Sequence, residues 1–179
     1  MSERSVFHLI SEVTSKAGVS CILIGGFAVN CYKVTRQTVD LDFLITKDDF
    51  DKIRPALEKA GYKQITREKN FAQLKSSRLS LLDVDFMFVE GETFAKIIGE
   101  GREVKIAGQK FIVPSLEHLL ALKLHSIKFN PKLRLMRDLP DIVNLIRINK
   151  VNVNSEKFKE LCLKYGTGEI YDKILEILK

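Results

Sequence analysis

The pattern of the chain changes at Pro114, and this change limits the folds that are open to it. Before Pro114, short apolar runs rich in branched residues alternate with amphipathic helical segments. After Pro114 only helical periodicity recurs, at 116–129 and near 135–149, 155–165 and 168–178. We therefore predict an α+β fold, with a mixed α/β core over 1–113 and a C-terminal helical region over 114–179 that packs on the core.

The core is predicted to alternate strands and helices. An amphipathic helix over 3–16 ends at Gly18, and Asp48 or Asp49 is a candidate cap for a later helix that ends at Gly61. The remaining segments are strands at 19–26, 39–46, 62–66, 71–75 and 78–90, short helices at 27–34 and 91–101, and a hairpin over 103–113. This order favours a mixed β-sheet flanked by helices.

Two acids, Asp40 and Asp42, lie two residues apart on one predicted strand, so both side chains project from the same face of the sheet. Two adjacent carboxylates repel each other unless a cation lies between them, and Mg²⁺ favours oxygen ligands of this kind. Taken alone, this spacing is more often that of a solvated strand face. The neighbouring residues decide between the two interpretations.

Gly25 and Gly26 end the preceding strand, where absent side chains let backbone N–H groups approach a phosphate. On a later strand, Asp83 and Asp85 again share one face. If that strand pairs with the strand of Asp40, a third carboxylate joins the first two. Three acids can hold two metal ions that brace the attacking and leaving oxygens of a phosphoryl transfer. The pattern therefore predicts a metal site for nucleotide chemistry.

The run from Gly25 to Ile45, GGFAVNCYKVTRQTVDLDFLI, resembles the signature of the DNA polymerase β-like nucleotidyltransferase superfamily. It is most similar to minimal stand-alone members, which include the toxins of abortive-infection (type IV toxin–antitoxin) systems and the antibiotic nucleotidyltransferases. The resemblance implies that Gly25 and Gly26 contact the triphosphate and that Asp40 and Asp42 bind metal. It favours Asp85 as the third ligand, with Asp83 as the substitute.

One residue departs from the family pattern, and two others are further candidates for nucleotide binding. Many members carry Ser where this chain has Gly26, and the Ser hydroxyl helps to hold phosphate. Arg36 and Thr38, just before the two acids, are candidate nucleotide-binding residues, although Arg36 is equally able to pair with a nearby acid.

The helical region contains a second set of candidate residues. Lys123 interrupts an apolar helical stripe, where a lysine needs an anion or an exit to solvent, and Asp138 and Asp141 are neighbours on one helical face. The segments EHLLALKL and RDLPDI resemble the C-terminal motifs of the toxin-like group. That resemblance implies that Lys123 contacts the nucleotide phosphates and that Asp138 supports activity. Pro140 makes the start of this helix uncertain.

Composition limits the partners. The net charge of +6 is compatible with a nucleotide or nucleic acid, and no apolar run is long enough to cross a bilayer. The three cysteines, none in a CxxC pair, indicate a reduced, cytoplasmic protein.

From these observations we predict a metal-dependent nucleotidyltransferase that uses two Mg²⁺ (or Mn²⁺) ions and a nucleoside triphosphate. The acceptor hydroxyl belongs to RNA or tRNA, a protein or a small molecule. A toxin role would add a cognate antitoxin as partner. The alternatives are an antibiotic nucleotidyltransferase and a catalytically inactive binding or regulatory module with the same fold.

Overall fold

The structure of the protein is a computed structural model that describes residues 5–78 and 81–179. The chain forms two compact units. The first comprises Met1–Ala28 and Arg36–Ser115, and the second comprises Val29–Thr35 and Leu116–Lys179.

The first unit is built on a seven-stranded mixed sheet. Its strands are β1 (Ile22–Leu23), β2 (Asp40–Ile45), β3 (Tyr62–Arg67), β4 (Phe71–Ser76), β5 (Asp83–Phe88), β6 (Arg102–Ile106) and β7 (Gln109–Val113). Their order across the sheet is β3-β4-β5-β2-β1-β7-β6. The pairs β2–β5 and β1–β7 are parallel, and the others are antiparallel. The α+β prediction with a mixed sheet is confirmed.

The helices of this part of the chain are α1 (Val6–Ala17), α2 (Gly25–Asn30), α3 (Lys47–Lys59) and α4 (Gly91–Gly99). Helices α1 and α3 pack against each other and contact β7 and β3, respectively. Phe43, Phe50 and Phe86 are fully buried, with Phe50 and Phe86 ring centroids 5.1 Å apart. Burial of such large rings contributes substantially to the stability of this core.

Several predicted boundaries differ from the structure. The first strand is only Ile22–Leu23, because Gly25 already begins α2 with a positive φ of 63°. Thr46, rather than Asp48 or Asp49, caps α3: its hydroxyl accepts a hydrogen bond from the backbone N–H of Asp49. Residues 3 and 4 of the predicted first helix, and 79 and 80 of the predicted strand over 78–90, lie outside the described residues.

The second unit is helical, with α5 (Leu116–Phe129), α6 (Pro131–Asn149), α7 (Glu156–Tyr165) and α8 (Gly168–Leu178). Its fully buried side chains include Leu124, Ile142, Leu145, Cys162 and Ile174. The backbone carbonyl of Tyr32 accepts a hydrogen bond from Nδ2 of Asn149 at 3.2 Å, which ties the 29–35 stretch to α6.

Helix α6 begins earlier than the sequence predicts. Pro131 occupies its first turn, where a missing N–H costs nothing, and Pro140 lies inside it. Met136, whose carbonyl loses a helical partner to Pro140, is 82% exposed, so water can satisfy that carbonyl. Within residues 5–78 and 81–179, no helix has both the length and the apolar character that crossing a bilayer requires.

Candidate functional site

Three carboxylates converge on one face of the sheet at the β2–β5 pair. In β2, Asp40 and Asp42 are half-buried, while Leu41 and Phe43 between and beyond them are fully buried on the other face. The parallel register places Asp42 opposite Asp85 of β5. One carboxylate oxygen from each of Asp40, Asp42 and Asp85 lies within 4.8 Å of the others.

Asp83 shares the face of Asp85 but is not part of this group. It lies opposite Asp40 in the ladder, and its Oδ1 accepts a hydrogen bond from the backbone N–H of Ser76 at 3.1 Å. Among the described residues, the group of acids that can hold a metal therefore contains Asp85 rather than Asp83.

Side-chain hydrogen bonds orient the carboxylates of Asp40 and Asp85. The Thr38 hydroxyl donates to Asp40 Oδ1 at 2.9 Å, and Gln73 Nε2 donates to Asp85 Oδ2 at 3.1 Å. Such charge-assisted bonds hold a carboxylate in one rotamer. The sequence analysis did not single out Gln73, since its position opposite Asp85 depends on the pairing of β4 with β5. The alternation of apolar and polar residues in FAQLK predicts the face of the strand on which Gln73 lies, but not the residue of the next strand that it contacts.

The two glycines lie directly against the acids and their supports. A Cβ at Gly25 would come within 1.8 Å of Asp42 Oδ2, and the φ of +63° at Gly25 is one that side chains disfavour. A Cβ at Gly26 would lie 2.7 Å from Cβ and Oγ1 of Thr38 and 3.1 Å from Arg36 Nη1. The space that a Ser side chain would need at position 26 is therefore filled by Thr38 and Arg36.

The structure thus brings seven of the predicted residues together in the first unit: Gly25, Gly26, Arg36, Thr38, Asp40, Asp42 and Asp85. The acids lie beside Gly25, and Arg36 and Thr38 lie over Gly26. Three carboxylates at this separation repel one another, and divalent cations relieve that repulsion with the oxygen ligands they prefer.

Lys123 and Asp138 lie in the second unit, where they belong to a buried ion cluster. The Lys123 ammonium donates to Asp138 Oδ1 at 2.9 Å and to Asp141 Oδ2 at 2.7 Å, and all three side chains are about 7% exposed. This cluster joins α5 to α6 and satisfies the lysine that interrupts the apolar stripe. The predicted contact of Lys123 with nucleotide phosphates stays a prediction.

The chain matches a known protein family over nearly its whole length. The model of a family described as "Uncharacterised nucleotidyltransferase" matches residues 7–179. No curated protein is significantly similar to the chain.

Several solved structures share the fold. ANT(2'')-Ia, solved in complex with adenylyl-2''-tobramycin, is 16% identical with a TM-score of 0.65, over 89% of this chain and 94% of that chain. The lincosamide antibiotic adenylyltransferase LnuA, solved with lincomycin bound, is 19% identical with a TM-score of 0.55, over 78% and 93% of the two chains. The Megavirus polyadenylate synthase is 13% identical with a TM-score of 0.56, over 82% of this chain and 32% of that chain. At these identities the likeness establishes a nucleotidyltransferase fold.

Proposed function

The chain belongs to the nucleotidyltransferase family whose model spans residues 7–179, and we propose that it transfers a nucleoside monophosphate to an acceptor hydroxyl in a metal-dependent reaction. The observation that carries the proposal is the carboxylate group of Asp40, Asp42 and Asp85, whose ligand oxygens lie within 4.8 Å of one another. Three adjacent carboxylates repel one another, which is unfavourable for a sheet face with a purely structural role.

The donor set fits Mg²⁺ or Mn²⁺. All three ligands are carboxylate oxygens, and the absence of a side chain at Gly25 leaves room for the Asp42 carboxylate in its place beside them. Two such ions, when bound, neutralise phosphate charge and brace the entering and leaving oxygens of an in-line displacement.

The chain's own residues would align the reactants. Thr38 and Gln73 keep the Asp40 and Asp85 carboxylates in place, so little reorganisation is needed when a triphosphate binds. The guanidinium of Arg36, close to Gly26, supplies a positive charge that suits a phosphate. By the resemblance of the motif, Gly25 and Gly26 contact the triphosphate through their backbone.

The reaction forms one bond and breaks another. The acceptor oxygen bonds to the α-phosphorus, and the anhydride bond between the α- and β-phosphates breaks to release pyrophosphate. The proton of the acceptor hydroxyl passes to Asp85, the third acid, and from there to solvent.

Lys123 and Asp138 are assigned supporting roles through their resemblance to the toxin-like motifs. The cluster of one ammonium and two carboxylates carries a formal charge of −1, so its lysine is already neutralised by Asp138 and Asp141. A contact between Lys123 and a phosphate therefore requires that one of these ion pairs loosen.

The acceptor class has two candidates. The excess of positive charge favours RNA or tRNA, in the manner of a toxin that acts on RNA and is held in check by a cognate antitoxin. The fold likeness to ANT(2'')-Ia and LnuA raises the alternative of a small hydroxylated antibiotic. The three cysteines, none of which is in a disulfide, suit a reducing, cytoplasmic setting for either.

The decisive experiment measures binding of each nucleoside triphosphate with Mg²⁺, with Mn²⁺ and with EDTA. We expect metal-dependent binding by the wild type and its loss in Asp42→Asn. Asp83→Asn is the matched control, because it removes an equivalent charge from the neighbouring strand outside the acid group. Absence of triphosphate binding under every metal condition would overturn the proposal in favour of an inactive module.

A second experiment names the acceptor. Radiolabelled triphosphates are incubated with the protein and with total cell RNA, total cell protein, tobramycin or lincomycin in separate reactions. If the wild type labels RNA and Asp42→Asn does not, RNA is supported as the acceptor. If only an antibiotic is labelled, the antibiotic hypothesis is supported. A toxin role further predicts that expression slows growth and that Asp42→Asn relieves the effect, whereas normal growth on strong expression contradicts it.

A further inference from the structure

The junction of α5 and α6 exposes an unusual combination of charged and apolar side chains. This segment, Lys128–Arg137 (KFNPKLRLMR), carries four basic residues and no acid, and we call it the basic corner. Lys128, Lys132, Arg134 and Arg137 are all exposed, and none forms an ion pair with any part of the chain that the structure describes. Four uncompensated cations in ten residues repel one another and favour an anionic partner.

The apolar residues of the basic corner are exposed as well. Phe129, Leu133 and Met136 are 70%, 68% and 82% exposed, although the other large apolar residues of α5 and α6 are mostly buried. Single exposed apolar side chains are ordinary, but three within eight residues among four cations are not. Most of the surface of these three side chains is therefore accessible to a partner.

An aromatic pair lies at one end of the basic corner. The rings of His125 and Phe129 have centroids 4.4 Å apart at 39°. Partial burial, with the nearby Lys128 cation, lowers the pKa of His125, so the imidazole is a neutral ring at pH 7. Two neighbouring rings, one of them largely exposed, form a platform on which a nucleobase can stack.

Cations for phosphates and exposed rings for bases are the two elements of single-stranded nucleic acid recognition. We propose that the basic corner, Lys128–Arg137 with His125, binds single-stranded RNA, and that this RNA is the acceptor. The proposal rests on the proposed function for its acceptor chemistry. The surface itself follows from the charge and the exposed ring alone.

An anionic membrane is the competing partner. Interfacial helices separate an apolar face from a charged one. In the basic corner the cations Lys132 and Arg134 flank Leu133, and the buried side of α6, with Ile142 and Val143 further along, is committed to the core of the unit. Interleaving of this kind favours a flexible polyanion, whose phosphates and bases alternate, over a flat lipid surface.

The test measures binding of a fluorescein-labelled single-stranded RNA of mixed sequence, by anisotropy, in EDTA and over a range of salt concentrations. We expect Lys132→Gln/Arg134→Gln to weaken binding about tenfold at 0.1 M salt and to lower the slope of log affinity against log salt by about 1.4. Phe129→Ala should weaken binding between about fivefold and about a hundredfold, with little change in that slope.

The matched control is Lys159→Gln/Lys173→Gln, which removes the same charge from exposed positions on α7 and α8 and should bind RNA like the wild type. Far-ultraviolet circular dichroism verifies that each variant is folded. Wild-type RNA affinity in both basic-corner variants would overturn the proposal, and so would tighter binding of phosphatidylserine–phosphatidylcholine vesicles than of RNA by the wild type.

The same preparations are assayed for Mg²⁺-dependent triphosphate binding, so that two kinds of failure are distinguished. Triphosphate binding without any RNA binding defeats this inference alone. RNA binding that the basic-corner substitutions weaken, without triphosphate binding, supports the surface and defeats the proposed function alone.

Discussion

The backbone of Gly25 lies so close to the carboxylate of Asp42 that a methyl group at position 25 would approach Asp42 Oδ2 to 1.8 Å. Ile24 strengthens this relationship, because its N–H donates to the carbonyl of Asp42 at 2.9 Å. The positions of Gly25 and Asp42 therefore depend on each other, although 16 residues of chain lie between them.

Gly25→Ala should abolish metal-dependent triphosphate binding, because the new methyl group displaces the Asp42 carboxylate. The positive φ adds a cost of about 1–2 kcal/mol in stability. Gly108→Ala is the control: it has a similar φ of +79°, but nothing lies within 4 Å of its Cβ position. We expect both variants to lose stability and only Gly25→Ala to lose binding. Normal triphosphate binding by Gly25→Ala would show that the contact with Asp42 is not needed.

Thr38→Val keeps the shape of the side chain but removes the hydroxyl that donates to Asp40 Oδ1. We expect a fall in the transfer rate of about tenfold, as for loss of one hydrogen bond to a charged group. Thr38→Ser should retain most of the rate because it retains the hydroxyl. Both variants should unfold near the wild-type temperature. Equal transfer rates for Thr38→Val and the wild type would show that the Thr38 hydroxyl has no role in the reaction.

Saturating Mn²⁺ should raise the melting temperature of the wild type. At 100 times its dissociation constant a ligand adds about 2.7 kcal/mol to the free energy of unfolding. Asp85→Asn should lose most of this increment, whereas Asp83→Asn should keep it. In EDTA, Asp85→Asn should be no less stable than the wild type, since it removes a repelling charge. If Asp83→Asn abolishes the Mn²⁺-induced rise in melting temperature and Asp85→Asn retains it, Asp83 rather than Asp85 is the third metal ligand.

Lys123→Met should destabilise the protein by about 3–5 kcal/mol, because it leaves two buried carboxylates without their cation. The neutral variant with Lys123→Met, Asp138→Asn and Asp141→Asn should recover most of that loss, as measured by urea unfolding. We expect triphosphate binding to remain impaired in the recovered variant. If this triple variant binds triphosphate as tightly as the wild type, the role of the cluster is purely structural.

Thiol reactivity should distinguish the three cysteines. Burial raises the pKa of Cys21 and of Cys162 to about 12, so below that pH both stay protonated and unreactive in the folded protein. Cys31 is half-exposed. At pH 8 we expect one thiol to react readily with a disulfide reagent in the native protein and all three after unfolding. Rapid reaction of more than one native thiol would contradict the burial of the other two.

Local patterns in the sequence predicted much of this molecule. The change of periodicity at Pro114 predicted the helical segments that follow it, and the two-residue spacing of Asp40 and Asp42 placed both acids on one sheet face. These predictions depend only on residues that are near one another in the chain. The same is true of Gly25 and Gly26, whose freedom from side chains is a property of the residues themselves.

Local pattern could not identify partners. Asp83 and Asp85 are equivalent by spacing, and Thr46, Asp48 and Asp49 are all competent caps. The parallel register of β2 with β5 set Asp85 opposite Asp42, and the pairing of β4 with β5 brought Gln73 to Asp85. Packing of Thr38 and Arg36 over Gly26 explains why no Ser occupies that position.

The sequence by itself therefore determined which residues are candidates for chemistry and which elements hold them, because charge, glycine and periodicity are local properties. Only the tertiary structure decided which of those residues meet. The contacts of Asp42 with Gly25 and of Lys123 with Asp138 depend on strand register and helix packing, which are set by burial across the whole unit.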